Sequence, residues 1–249
     1  MMSLYINLRS IYHRLKFYRK INWYKTLYFN FKKFPFSIAK KLPIYFYGKV
    51  RFTHISGEVI IDAPIKRGMI GFGQPFEKMT KAKGTAEIAL LGKIVFKGHV
   101  QIGKDYFIYI EKDAYCEIGH LSGFGSNGKL ICTMEIVLGN LARIGYDSQI
   151  VDTNSHQMID TLTREKFPMT GKIQLGNNNF IGNRTSIMLG TQTPDYCTIA
   201  SNSLCNNNYR SFGNNILIGG IPAKLLRENI SRDWEGEQDM IEDNLIIRY

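Results

Sequence analysis

The chain has 249 residues, enough for one domain with a sizeable core, and it carries 32 Lys and Arg against 21 Asp and Glu, a formal charge of +11. No stretch approaches the ~20 apolar residues of a membrane-spanning helix, and the N-terminal residues lack the uninterrupted apolar core of a secretory signal, so a cytoplasmic protein is expected. Its four cysteines, Cys116, Cys132, Cys197 and Cys205, lack metal-type spacing and read as free buried thiols in a reducing compartment.

The positive excess is N-terminal. Residues 1–57 hold twelve basic side chains and no acidic one, while the rest of the chain has twenty basic against twenty-one acidic. Aromatics are interleaved with that charge: Tyr5, Tyr12, Phe17, Tyr18, Trp23, Tyr24, Tyr28, Phe29 and Phe31. Leu8, Ile11, Leu15 and Tyr18 recur at helical spacing, and Pro35 limits any helix before it. Residues 1–43 are therefore expected to form a basic, aromatic, helical arm. Such a segment can cap the open end of the domain that follows, lie on an anionic membrane at the inner face of the cell, or bind nucleic acid. The first two roles can coexist, and the third is set aside.

From about Tyr45 to Phe76 the alternation in KVRFTH and EVIIDAP predicts strands, broken by Pro64 and by Gly68, Gly71 and Gly73. An irregular first coil is expected there. Residues 77–85 (EKMTKAKGT) read as a protruding loop. A count of six begins with FKGHVQ, IGKDYF and IYIEKD (96–113), and is expected to slip through 114–137.

The count then locks. LGNLAR, IGYDSQ and IVDTNS occupy 138–155; LGNNNF, IGNRTS and IMLGTQ occupy 175–192; TPDYCT, IASNSL and CNNNYR occupy 193–210. One inward residue per six suits a short strand and a corner, three of which close a triangular coil of about eighteen residues. Asn, Gly and Ser crowd the corners because they tolerate left-handed backbone or hydrogen-bond their own turn. A coil cannot bury its aliphatic row alone, so coils must stack into a solenoid. Residues 157–172 fit no hexad, yet the count restarts at Leu175; an insertion that leaves both flanks in register must bulge out as a loop. After IGGIPAKLL (218–226), residues 227–249 place Trp234, Met240, Ile241 and Leu245 at helix-compatible spacing.

The hexads, the DTNSH stretch at 152–156 and the closing IGGIPAKLL resemble the hexapeptide-repeat acyltransferases, in the maltose/galactoside acetyltransferase-like branch that includes capsular and lipopolysaccharide O-acetyltransferases. The resemblance is good over 95–226 and thinner over 44–94. It implies an all-β left-handed parallel β-helix over 44–226, flanked by the N-terminal helical arm and a C-terminal helix over 227–249. It also implies a homotrimer with active sites between subunits, acetyl-CoA as donor, and a saccharide acceptor, which can be lipid-linked.

His156 stands where the family has its general base. The chemistry needs one: attack by a sugar hydroxyl on a thioester requires removal of a proton from a very weak acid, and imidazole titrates near neutrality. Asp152 and Asn154 are candidates for the acceptor side, and Asp152 also for holding the imidazole; both can equally be turn residues. His13, His54 and His99 are read as surface or core residues. Carried over by position, the donor contacts fall on Asn183, Ser201, Asn206 and Asn207, with Lys224 and Arg227 near the nucleotide phosphates. Each of these asparagines can instead be a left-handed corner. Asn207 departs from the lysine common in relatives, and Phe180 stands where relatives often have tryptophan.

The absence of G-x-S-x-G, and of a cysteine near His156 in sequence, favours direct transfer over a covalent intermediate. No metal is expected, because His120 and His156 alone do not supply the three-histidine set of the related carbonic anhydrases. A sugar N-acetyltransferase is the alternative within the enzyme class. A non-catalytic solenoid scaffold is the alternative outside it.

Overall fold

The computed structural model describes residues 18–74 and 84–246. The candidate loop at 77–85, and Leu8, Ile11 and Leu15 of the arm, fall wholly or mostly outside those residues. Helix α1 (Trp23–Lys33) opens the described chain, and a short α2 (Phe36–Ala39) follows it after Pro35.

Three strands then make each turn of a solenoid. The first coil is β1 (Ile44–Phe46), β2 (Val50–Ile55) and β3 (Glu58–Ile61). The second is β4 (Ile70–Phe72), β5 (Ala86–Leu90) and β6 (Lys93–Phe96). The third and fourth are β7 (Val100–Ile102), β8 (Phe107–Ile110), β9 (Tyr115–Ile118) and β10 (Ser122–Phe124), β11 (Lys129–Cys132), β12 (Glu135–Leu138). Next come β13 (Arg143–Ile144), β14 (Gln149–Val151) and β15 (Ile173–Leu175), followed by β16 (Phe180–Ile181), β17 (Ser186–Met188), β18 (Cys197–Ile199) and β19 (Leu204–Cys205). The chain closes with β20 (Ile216–Gly220), β21 (Ala223–Glu228) and helix α3 (Gln238–Leu245).

Each strand pairs in parallel with its counterpart one coil on. This gives three sheets along the prism: sheet 1, β1-β4-β7-β10-β13-β16-β18-β20-β21; sheet 2, β2 to β19; and sheet 3, β3 to β15. Phe180 pairs with Thr198 and Ser186 with Leu204, the eighteen-residue advance of three hexads. The hexad openers Leu138, Ile144, Ile150, Leu175, Ile181, Ile187 and Ile199 are buried, as are Thr193 and Cys205. Those residues fill the prism, and their burial is what holds successive coils together.

One expectation is corrected. The register does not slip through 114–137, because Tyr115 to Ile118 pair residue for residue with Glu135 to Leu138. Each strand there turns two side chains inward (Cys116 and Ile118, Leu130 and Cys132, Ile136 and Leu138), and the extra residues sit in wider corners, one of them turned by Asp113 at φ 66°. The first coil is irregular, as expected, in that β2 shifts register against β5 between Phe52 and His54; Pro64 and Gly68 lie in the corner between β3 and β4, outside the strands.

The N-terminal end of the prism is closed by α1. Phe29 packs edge-on against Phe46, with ring centroids 5.1 Å apart. Asn30 donates to Ile44 O (2.7 Å) and accepts from Ile44 N (3.2 Å), while Thr26 Oγ1 accepts from Phe46 N (3.0 Å). Two side chains thus satisfy the edge of β1 as a neighbouring strand would. At the other end β21 turns back antiparallel on β20, and it runs across the boundary expected at 226. Helix α3 lies back over sheet 1: Ile241, Leu245 and the preceding Trp234 are buried with Leu121, whereas Met240 is exposed. Gln101, wholly buried on that sheet, donates to Leu245 O at 3.0 Å. Among the described residues no helix is long and apolar enough to cross a membrane.

Candidate active site

β14 ends at Val151, and the chain then leaves the corner between sheets 2 and 3 as an antiparallel arm. Thr153 bridges Thr170 and Ile159 bridges Lys166, and Asn154 N donates to Met169 O at 2.8 Å. At the tip the Asp160 carboxylate accepts from Leu162 N and Thr163 N, which lowers its pKa below the usual carboxylate range. The coils on both sides of the arm stay paired, Gln149 with Ser186 and Ile136 with Ile173. His156 stands at the base of this arm, exposed, directly after Ser155, whose φ of 59° turns the chain through the left-handed region. Among the described residues no hydrogen bond to its ring is formed within the chain.

Of the roles left open for Asp152, the fold supports the structural one. It is wholly buried, and its carboxylate is filled from within the corner of the preceding coil. Oδ1 accepts from Thr133 N (2.7 Å) and Thr133 Oγ1 (2.8 Å), and Oδ2 from Met134 N (2.8 Å) and Glu135 N (3.0 Å). Four donors leave it nothing to offer a substrate or an imidazole. It belongs to the framework beneath His156, not to the acceptor site. Asn154, by contrast, is exposed beside His156.

The donor-side candidates fall into three groups. Asn183 and Ser201 lie on successive coils at the corner between sheets 1 and 2, where Asn183 N donates to Ser201 Oγ at 3.2 Å. Asn206 and Asn207 are exposed at the corner between sheets 2 and 3, on the same edge as His156 and two coils, about 10 Å, further along the axis. Lys224 and Arg227 are exposed on β21. One chain therefore does not gather them: sheet 2 separates Asn183 and Ser201 from His156. The left-handed corners are Asn178, Asn202 and residues such as Leu141, Arg184 and Tyr196, whereas Asn183, Asn206 and Asn207 are not in that conformation. Those three asparagines are thus not explained as left-handed turns. Asn207 does cap its own turn, its Oδ1 accepting from Asn208 N at 2.8 Å.

Phe180 lies on sheet 1, where the Arg232 guanidinium covers its ring at 5.3 Å and the Trp234 ring at 4.9 Å. With Thr198, Ile230, Ser231 and Glu237, Phe180 and Arg232 line an open depression of about 390 Å³ along the strands that lead to Asn183 and Ser201. Sequence reasoning missed Arg232, because nothing in RDWEGE announces a fold-back onto sheet 1. His120 sits at the corner between sheets 3 and 1, with its ring 5.8 Å from that of His99, away from His156. Among the described residues no group of three His, Cys, Asp or Glu side chains is placed to hold a metal ion.

Solved structures similar to this chain include the polysialic-acid-specific acetyltransferase NeuO (16% identity, 76% of this chain and 78% of that one, TM-score 0.48). Another is a hexapeptide-repeat-containing acetyltransferase from Vibrio cholerae (20% identity, 54% and 72%, TM-score 0.44). A third is AntD, an N-acyltransferase from Bacillus cereus in complex with dTDP and 3-hydroxybutyryl-CoA (10% identity, 85% and 97%, TM-score 0.42). No family model matches the chain, and no curated protein matches it. The reading of the site therefore rests on the chain's own residues.

Proposed function

We propose that this chain is a left-handed β-helix acyltransferase of the hexapeptide-repeat kind. It moves an acetyl group from acetyl-CoA to a saccharide hydroxyl in cell-surface polysaccharide biosynthesis, in the cytoplasm. The observation that carries the reading is His156: a solvent-facing imidazole at the base of an ordered arm on a stack of hexad coils. In the reaction His156 takes the proton of the acceptor hydroxyl as its oxygen bonds to the thioester carbonyl carbon; the C–S bond then breaks, and the same proton goes to the departing sulfur. Asn154 is placed to orient the acceptor. Asn183, Ser201, Asn206 and Asn207 would hold the pantetheine, with Lys224 and Arg227 toward the phosphates.

A homotrimer accounts for the separation of these groups. A neighbouring copy laid against sheet 2 would bring one chain's His156 edge to the next chain's Asn183 edge. The surface suits a cover: Ile131 and Met188 are half-buried on sheet 2, and the arm exposes Met158, Leu162 (91%), Phe167 and Met169. The test is release of free thiol from acetyl-CoA with sugar and amino-sugar acceptors. His156→Ala is expected to lose transfer by at least about a hundredfold, the usual worth of a general base, with CoA binding retained. Full activity in His156→Ala would remove the mechanism, transfer only to amino sugars would make the chain an N-acetyltransferase, and failure of the wild type to bind CoA would leave a scaffold.

A further inference from the structure

Helix α1 has a buried face and, opposite it, an exposed apolar one. Thr26, Phe29 and Asn30 are turned into the prism, where they close the edge of β1. At 100° per residue the direction opposite to them holds Tyr24, Tyr28 and Phe31, with Leu27 on one flank; all are exposed, Tyr24 at 75%. A helix that only caps a solenoid would carry its lysines there. Instead Lys25 and Lys32 stand to one side, and Phe36 of α2, 70% exposed, continues the apolar patch with its ring 6.1 Å from that of Phe31. Tyr24 and Tyr28 stack on each other at 6.4 Å and 7°, and Tyr28 reaches Phe52 at 6.4 Å, so the rings form one connected surface.

Around that surface Arg19, Lys20, Lys32, Lys40 and Lys41 are exposed, and no acidic residue occurs before Glu58. A second copy of the same face would meet like charge, which argues against self-association through it. A nucleic-acid strand would stack on the rings and leave the exposed Leu27 without an apolar partner. An aromatic and aliphatic patch ringed by lysines matches the boundary of an anionic bilayer, where rings and Leu enter the headgroup zone and cations meet the phosphates. At eleven residues α1 can lie in that surface but not cross it. We propose that the outer face of α1 and α2 docks this protein on an anionic membrane surface while the inner face of α1 caps the solenoid.

The experiment uses the full chain and co-sedimentation with phosphatidylglycerol–phosphatidylcholine vesicles, with phosphatidylcholine vesicles as the neutral control. The wild type is expected to bind the anionic vesicles alone, with affinity falling about tenfold or more as salt shortens the screening length. A variant with Tyr24→Gln, Leu27→Gln, Phe31→Gln and Phe36→Gln should lose at least about tenfold in vesicle affinity and keep the wild-type Tm, since it leaves Thr26, Phe29 and Asn30 in place. Three results would overturn the proposal: no binding of the wild type to anionic vesicles, unchanged binding of the variant, or a drop in Tm or assembly mass in the variant. The last would mean that protein covers the face. A wild type that binds a single-stranded oligonucleotide and not vesicles would overturn it as well. The proposal does not depend on acyl transfer, so loss of vesicle binding with intact thiol release separates the two readings.

Discussion

Replacement of Asp152 by Asn separates framework from chemistry at the site. The amide keeps one oxygen, enough for Thr133 N and Thr133 Oγ1, but sets an NH2 group against Met134 N and Glu135 N, which now donate to Oδ2 at 2.8 and 3.0 Å. Hydrogen bonds to a charged acceptor contribute about 1.5–3 kcal/mol each. The lower end applies here because both bonds are only part-buried. Losing two such bonds should destabilise the chain by about 3 kcal/mol, which for a chain of this length lowers Tm by about 6–12 °C. Differential scanning calorimetry at fixed protein concentration measures it, with thiol release assayed well below the lowered Tm. Stability should fall and transfer largely persist. An unchanged Tm with transfer abolished would refute the reasoning and return Asp152 to the reacting groups.

Two further predictions concern the rest of the site and the fold-back of α3. Leu162→Asp with Phe167→Asp should cost the arm its neighbour, giving a lower mass by light scattering and loss of transfer while the coil spectrum by circular dichroism is kept; a monomeric and fully active wild type would defeat the trimer. The pKa of His99 is pushed down to about 4, chiefly by burial and then by His120 and Lys66, against an opposing pull from Glu242 on α3, while the unfolded chain titrates near the ordinary 6.5. Because the unfolded state binds the proton more readily, this contribution to stability is fully present above about 6.5 and is lost as pH falls toward about 4. Tm measured across that window should decline, and His99→Phe should flatten the decline; an equal slope in the variant would show that other groups set it.

The solenoid was legible because its physics is local. An inward aliphatic every six residues writes the coil directly, and Leu138, Ile144, Ile150 and their successors are buried as the count requires. Where the count failed, at 114–137, the strands kept two inward side chains each and the surplus went into corners, which a single-position count cannot distinguish from a slip. The location of the arm was legible from the restart at Leu175, but its antiparallel pairing of Thr153 with Thr170 and Ile159 with Lys166 was not, since neither flank carries a strand pattern. The role of Asp152 stayed open because a carboxylate two residues beyond a buried strand position can reach substrate or backbone equally well, and only the fold shows Thr133 to Glu135 directly beneath it. Arg232 over Phe180 joins groups 52 positions apart, beyond any local signal.

The two ends of the prism are closed by unlike devices, Asn30 and Thr26 from a helix at one end and the reversed strand β21 at the other. A parallel coil is by construction a template for another like itself, so a stack with both faces bare would be a seed for end-to-end growth. Here neither terminal surface matches the other. The number of turns is consequently written in the chain and not left to concentration.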